Sequence, residues 1–185
     1  VAVLSMFFGN LGAIMQTNIK RMLAFSSISH AGYILMAVIS KNSLGSSSLL
    51  FYMLSYTFMT FGIFGIIIIL GRKGEENQEM KDYSGLAYKH PVLALSMTIF
   101  LLSLGGLPPF AGFIAKFYIF SAAIQEGLIT LVIIAVLNSA ISFYYYLKVI
   151  IFMYMKEQEA EFNISLTPLT LFVVFIGVIT TVSLG

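Results

Sequence analysis

The chain has 185 residues, with 10 Lys and Arg against 8 Asp and Glu, so charged residues make up 10% where a soluble domain carries roughly a quarter. Apolar residues are 59% and the mean hydropathy is +0.96, which argues against a disordered chain and against a basic nucleic-acid-binding surface, and points to the lipid bilayer as solvent. Without cysteine there is no disulfide, thiolate zinc site or cysteine-ligated iron–sulfur cluster, and the 2 histidines cannot build a His-rich metal centre.

Roughly 20 apolar residues cross a hydrocarbon core of about 30 Å, and polar punctuation divides the sequence at that interval. An all-α polytopic membrane protein with about six spans is expected, forming one transmembrane domain. The first span covers 1–17, and since no basic segment and cleavage pattern accompany it, it reads as a span and not a signal peptide. Both chain ends fall inside apolar runs, which reads as a portion of a longer protein.

The second span covers 22–40 and contains His30, about 15 Å from the basic residues at either end. Ser26, His30 and Tyr33 are spaced i, i+4, i+7 and share one face. That stripe suits a water-lined proton relay, and equally suits polar contacts between helices. In the third span, 49–70, Tyr52, Tyr56 and Thr60 share a face that helix packing explains.

The connection 71–90 holds four basic and four acidic residues, with room for a short surface helix or a solvated loop. The fourth span, 91–125, would reach about 50 Å as a continuous helix, more than the bilayer needs. It contains Gly105-Gly106-Leu107-Pro108-Pro109, so a break near Leu107 is expected, beside protein or water that satisfies the freed backbone. Lys116 follows, about 15 Å from the end marked by Glu126 and therefore near the midplane. Gly112, one turn earlier, leaves room beside it. Burial penalises an ammonium and a nearby carboxylate or water restores it, so Lys116 is expected to face a carboxylate or a hydrated cavity and to be able to load and release a proton. A structural ion pair between helices is the alternative.

The fifth span covers 128–155, where Asn138, Ser142 and Tyr145 trace a polar face, Tyr144 to Tyr146 fit an interfacial aromatic belt, and Lys148 either snorkels or serves as a relay near the mouth. The sixth covers 166–185. Lys20, Arg21, Arg72, Lys73, Lys81, Lys89 and Lys156 lie in odd connections and Lys41 alone in an even one, which places the loops at 18–21, 71–90 and 156–165 on the cytoplasmic side of a bacterial inner membrane, or the equivalent side in an organelle or thylakoid. Asn163-Ile164-Ser165 matches a glycosylation pattern but falls on that inner side and is set aside. No phosphate loop, dinucleotide fingerprint, zinc-helix pair or nucleophile elbow is present in the sequence.

The run Asn18-Ile19-Lys20-Arg21-Met22-Leu23-Ala24-Phe25-Ser26-Ser27-Ile28-Ser29-His30 resembles a signature of the antiporter-like subunits of respiratory complex I. Leu102 to Tyr118 is similar to the broken helix of the subunit N branch of that family, with the lysine at Lys116 and the following Phe117-Tyr118 separating it from other branches. Lys81-Asp82-Tyr83-Ser84-Gly85-Leu86 and Tyr144-Tyr145-Tyr146-Leu147-Lys148 fit the same branch, while Ala115 stands where the family usually has glycine. The resemblance implies one five-helix antiporter-like repeat plus a sixth helix, from the later half of a protein more than twice as long. It implies proton translocation through Lys116, His30 and Lys148, with the break at Gly105, Gly106, Pro108, Pro109 and Gly112, and with Ser26, Tyr33, Asn138, Ser142 and Tyr145 lining the path. No cofactor is implied in this chain. NADH, flavin, iron–sulfur clusters and quinone belong to partner subunits, and the partners are the other membrane-arm subunits, lipid, internal water and protons, with no nucleic acid. A related cation/proton antiporter or membrane-bound hydrogenase subunit, and an inert membrane anchor, are the rival readings.

Overall fold

The computed structural model describes residues 1–71, 79–157, 164 and 167–185. Arg72, Lys73, Asn163, Ser165 and Leu166, which figured in the charge count, the glycosylation pattern and the start of the sixth span, lie outside the described residues. Eight α-helices are seen among those described: α1 (Ala2–Ile14), α2 (Ile19–Ile39), α3 (Ser43–Ile69), α4 (Leu86–Lys89), α5 (Pro91–Gly105), α6 (Ala111–Gln125), α7 (Ile129–Met155) and α8 (Pro168–Ser183). Three of them, α2, α3 and α7, are each long and apolar enough to cross a bilayer.

Two helices begin earlier than their apolar stretches, and asparagine caps are the reason. The Asn18 side chain accepts from the Arg21 N–H at 3.0 Å, so α2 starts at Ile19 and not Met22. Asn42 accepts from the Gly45 N–H at 2.6 Å, starting α3 at Ser43, about two turns before Leu49. The serines that read as a connection are helical, and the Ser48 hydroxyl returns to the Gly45 carbonyl at 2.9 Å.

The described part of the 71–90 connection is not a solvated loop. A 3-10 turn (Met80–Tyr83) and α4 fold against the ends of α1 and α7, burying Met80, Tyr83 and Leu86. Backbone bonds fasten it there: Met80 N–H to the Thr17 carbonyl at 2.8 Å and Gly85 N–H to the Phe152 carbonyl at 3.2 Å. Burial, with Asp82 beside it, pushes the Tyr83 phenol above its usual range and keeps it neutral.

The fourth span is two helices. Glycine at position 106 has φ 90°, a left-handed conformation that closes α5 with its N–H bonded to the Leu102 and Ser103 carbonyls. Leu107 to Phe110, with a cis bond between Pro108 and Pro109, connect to α6. The closeness of the two halves rests on Gly112, whose N–H donates to the Ser103 hydroxyl at 3.0 Å, and where any Cβ would overlap the Ser103 carbonyl.

α1 packs along α2, α8 covers part of α3, and α7 lies against α1, α5 and α6. Large apolar side chains such as Phe7, Phe61, Leu137 and Phe175 point outward, while Asn10, His30, Lys116 and Asn138 are buried. A polar interior inside an apolar coat is the arrangement a bilayer solvent demands.

Candidate functional site

Lys116 is 4% exposed and its ammonium turns back to the end of α5. Nζ donates to the carbonyls of Leu104 at 3.0 Å and Gly105 at 2.9 Å, and to the Ser139 hydroxyl of α7 at 2.9 Å. Ser139 in turn donates to the Gly105 carbonyl at 3.1 Å. The break leaves the last carbonyls of α5 without helical donors, and the same end carries the negative pole of the helix dipole, so a cation is favoured there. Nζ also stands 5.0 Å from the centroid of the Tyr33 ring. Of the two expected surroundings, a carboxylate or a hydrated cavity, the described contacts include no carboxylate; the ammonium meets two carbonyls, one hydroxyl and an aromatic face. Beside the lysine lies a cleft of about 350 Å³ whose walls include Phe113, Phe117, Phe120 and Phe143, with Ser139 at its polar end.

His30, 3% exposed, has both ring nitrogens occupied by tyrosine hydroxyls: Nδ1 is 2.6 Å from Tyr52 and Nε2 is 3.1 Å from Tyr146. A neutral imidazole has one N–H and one lone pair, so one tyrosine donates while the other accepts, and the tautomer decides which. The Tyr146 hydroxyl continues to Ser26 at 2.5 Å. Tyr33 joins the two buried bases, its ring edge-on to His30 with centroids 6.0 Å apart and its face toward Lys116. Tyr56 also lies against the imidazole, with ring centroids 4.8 Å apart.

A third group links α1 and α7. The Asn10 amide donates to the Asn138 backbone carbonyl at 2.8 Å and to its side-chain oxygen at 3.0 Å, and the Tyr145 hydroxyl donates to Asn10 at 3.0 Å. Tyr145 and Tyr146 are in contact, with ring centroids 4.5 Å apart. Lys148 stands apart from these groups, half-buried near the Lys20 end of the bundle, reaching the Gln16 carbonyl at 3.4 Å.

The expected stripe of Ser26, His30 and Tyr33 is thus one connected region, and Asn138 and Tyr145 share a partner. Ser142 is buried beside them, and its hydroxyl donates to the Ser139 carbonyl of its own helix at 2.6 Å. The aromatic belt is also corrected, because only Tyr144 faces outward while Tyr145 and Tyr146 are in the core. Tyr52, ascribed to packing, is bonded to His30. Asn10 and Ser139 were not singled out by sequence, and Tyr146 was read as part of the belt and not as a partner of His30. A usable signal existed for Tyr146, which falls on one helical face with Ser142, Val149 and Met153, all buried.

Residues 1–142 match the family described as NADH:quinone oxidoreductase/Mrp antiporter, TM. The chain is 58% identical over 163 residues to NADH-quinone oxidoreductase subunit N of Trichlorobacter lovleyi, an alignment covering 88% of this chain and 34% of that one. Among solved structures, a chain of respiratory complex I from Thermus thermophilus with bound aureothin superposes with a TM-score of 0.88 at 32% identity, covering 99% of this chain and 41% of the other. A chain of the Mrp complex from a Dietzia species gives a TM-score of 0.78 at 30% identity, covering 85% and 29%. The chain therefore spans about a third of the length of the curated relative.

Proposed function

This chain belongs to the NADH:quinone oxidoreductase/Mrp antiporter transmembrane family, and from that premise we propose that it is part of a proton-translocating membrane-arm subunit of an NADH-quinone oxidoreductase, of the subunit N kind. The carrying observation is a buried lysine at the end of a broken helix, held by two carbonyls and a hydroxyl with no acidic partner among the described residues. Holding an ammonium there costs several kcal/mol in general, and the neutral acceptors offset only part of that, so Lys116 is poised to exchange its proton.

Four groups divide the work. Lys116 is the central proton carrier, and His30 is the second. Tyr33 connects them by ring contacts and lets the charge on one be felt at the other. Lys148, at the Lys20 end, serves near the cytoplasmic mouth. Driving one proton across 100 mV takes about 2.3 kcal/mol, within reach of modest electrostatic changes around a buried cation. The electron carriers, NADH, flavin, iron–sulfur clusters and quinone, belong to partner subunits on this reading, and the membrane is a bacterial inner membrane with the Lys20 end inward.

The family also holds Mrp antiporters. Phe117 and Tyr118, the residues that favour subunit N by resemblance, are largely exposed on α6 and do no chemistry in the site. The preference therefore rests on the high identity to proteins bearing that name. The deciding experiment is Lys116→Met in the full-length protein within its complex, reconstituted in vesicles. Proton uptake driven by NADH oxidation should be lost or nearly so. A variant that pumps normally would reduce Lys116 to a structural group and this chain to an anchor.

A further inference from the structure

A cleft of about 150 Å³ opens between α2 and α3, lined by Lys20, Ser26, Ser27, Tyr56, Thr60 and Leu104 among others. Its lining combines exposed Ser27 with buried Ser26 and Leu104, and Lys20, at the start of α2, also borders it. Ser26 is seven residues into that helix, about 10 Å from its beginning. A volume of that size accommodates about five waters at the density of the liquid, and the hydroxyls, phenol and ammonium in the lining supply the two to four polar partners that an ordered water needs.

What makes this cleft more than a surface dent is where Ser26 leads. Its hydroxyl is 2.5 Å from that of Tyr146, which is 3.1 Å from Nε2 of His30, whose Nδ1 is 2.6 Å from Tyr52. The cleft is therefore connected to the buried imidazole by two hydroxyls in series.

We propose that this cleft is the solvent inlet to His30, and that Ser26 and Tyr146 hand protons between its water and the imidazole. The step balances within the groups named. A hydronium in the cleft gives a proton to the Ser26 oxygen, Ser26 passes its own hydroxyl proton to the Tyr146 oxygen, and Tyr146 passes its proton to Nε2. One water and one imidazolium result. Rotation of the two hydroxyls restores the starting order. Tyr52 holds the Nδ1 proton as acceptor, so the neutral tautomer beforehand is the one with a free lone pair on Nε2. Tyr146 touches the reacting atom and is a catalytic residue on this proposal, which rests on the proton-relay reading above.

The test uses the full-length protein in its complex in vesicles. Ser26→Ala and Tyr146→Phe should each lower the proton-translocation rate by about tenfold or more, as loss of a positioned proton-transfer group does. Thr57→Ala, an exposed hydroxyl bonded to its own helix, should have no effect. Independently, Thr60→Cys should react with a permanently charged, water-soluble methanethiosulfonate added at the Lys20 side, and the modification should slow pumping, while Thr57→Cys on the lipid face should stay unmodified. Normal pumping by Ser26→Ala and by Tyr146→Phe, in the same assay in which the separate Lys116→Met protein is inactive, would overturn the inlet and leave the relay standing. So would an unreactive Thr60→Cys. Normal pumping by Lys116→Met would instead remove the relay itself.

Discussion

Lys116 and His30 are buried in one bundle but held by different kinds of partner. The ammonium is fixed chiefly by backbone, the carbonyls of Leu104 and Gly105, which exist as acceptors because α5 stops there. The imidazole is fixed by side chains, the phenols of Tyr52 and Tyr146, inside helices whose backbones are fully engaged. The lysine site is consequently a property of chain geometry, sensitive to whatever moves the α5–α6 junction. The histidine site is a property of composition, sensitive to a single hydroxyl.

The largest effect should come from attacking the geometry. At Gly112 an added methyl would overlap the Ser103 carbonyl, so Gly112→Ala must push α6 away from α5. Overpacking of this kind costs about 3 kcal/mol, and here the shift also drags Lys116 from its carbonyls. The expected outcome is a reduced yield of folded protein in the membrane, measured by detergent-resistant assembly, with the surviving fraction inactive in proton translocation. A fully folded, fully active Gly112→Ala protein would show that the junction tolerates separation and that the lysine is not held by it.

Attacking the composition should do less to the fold. Tyr52→Phe deletes the hydroxyl at Nδ1 and leaves a buried ring nitrogen without a partner, a loss of about 1 to 3 kcal/mol. Assembly should persist with a lowered unfolding temperature, and proton translocation should fall because the tautomer is no longer selected. If Tyr52→Phe proved as disruptive to assembly as Gly112→Ala, the contrast between the two sites would fail.

The same contrast explains what could be read in advance. The break was legible because two glycines and two prolines in an apolar run forbid a continuous helix, and a lysine set inside that run was marked as a group in need of partners. The identity of its partners was not legible, because carbonyls are carried by every residue and leave no mark in a sequence; a carboxylate or a hydrated cavity was expected, and the helix end itself supplies two of the partners. Around His30 the stripe of Ser26 and Tyr33 was visible through helical spacing. Tyr52 and Tyr146 were not assigned to it, because they come from 22 and 116 positions away and only the packing of α2 against α3 and α7 brings them in. Asn10 escaped for a similar reason: a single polar residue in the first span has meaning only once Asn138 and Tyr145 stand across from it.

The finest test separates conformation from surroundings. Gly106 and Gly127 both adopt left-handed backbone, with φ 90° and 72°, so replacing either by alanine carries a similar conformational cost of about 1 kcal/mol. Their neighbourhoods differ: a Cβ at position 106 would come within 3.0 Å of the Lys116 Cδ and 3.3 Å of its Nζ, whereas one at position 127 would meet nothing within 4 Å. Gly106→Ala should therefore slow proton translocation at matched membrane content, because the lysine stem must shift for the methyl to fit, while Gly127→Ala should lower thermal stability by a similar amount and leave the pumping rate unchanged. Equal pumping by the two variants would mean that the position of the lysine stem beneath the helix end does not govern transfer, and that any ammonium within reach of the cleft would serve as well.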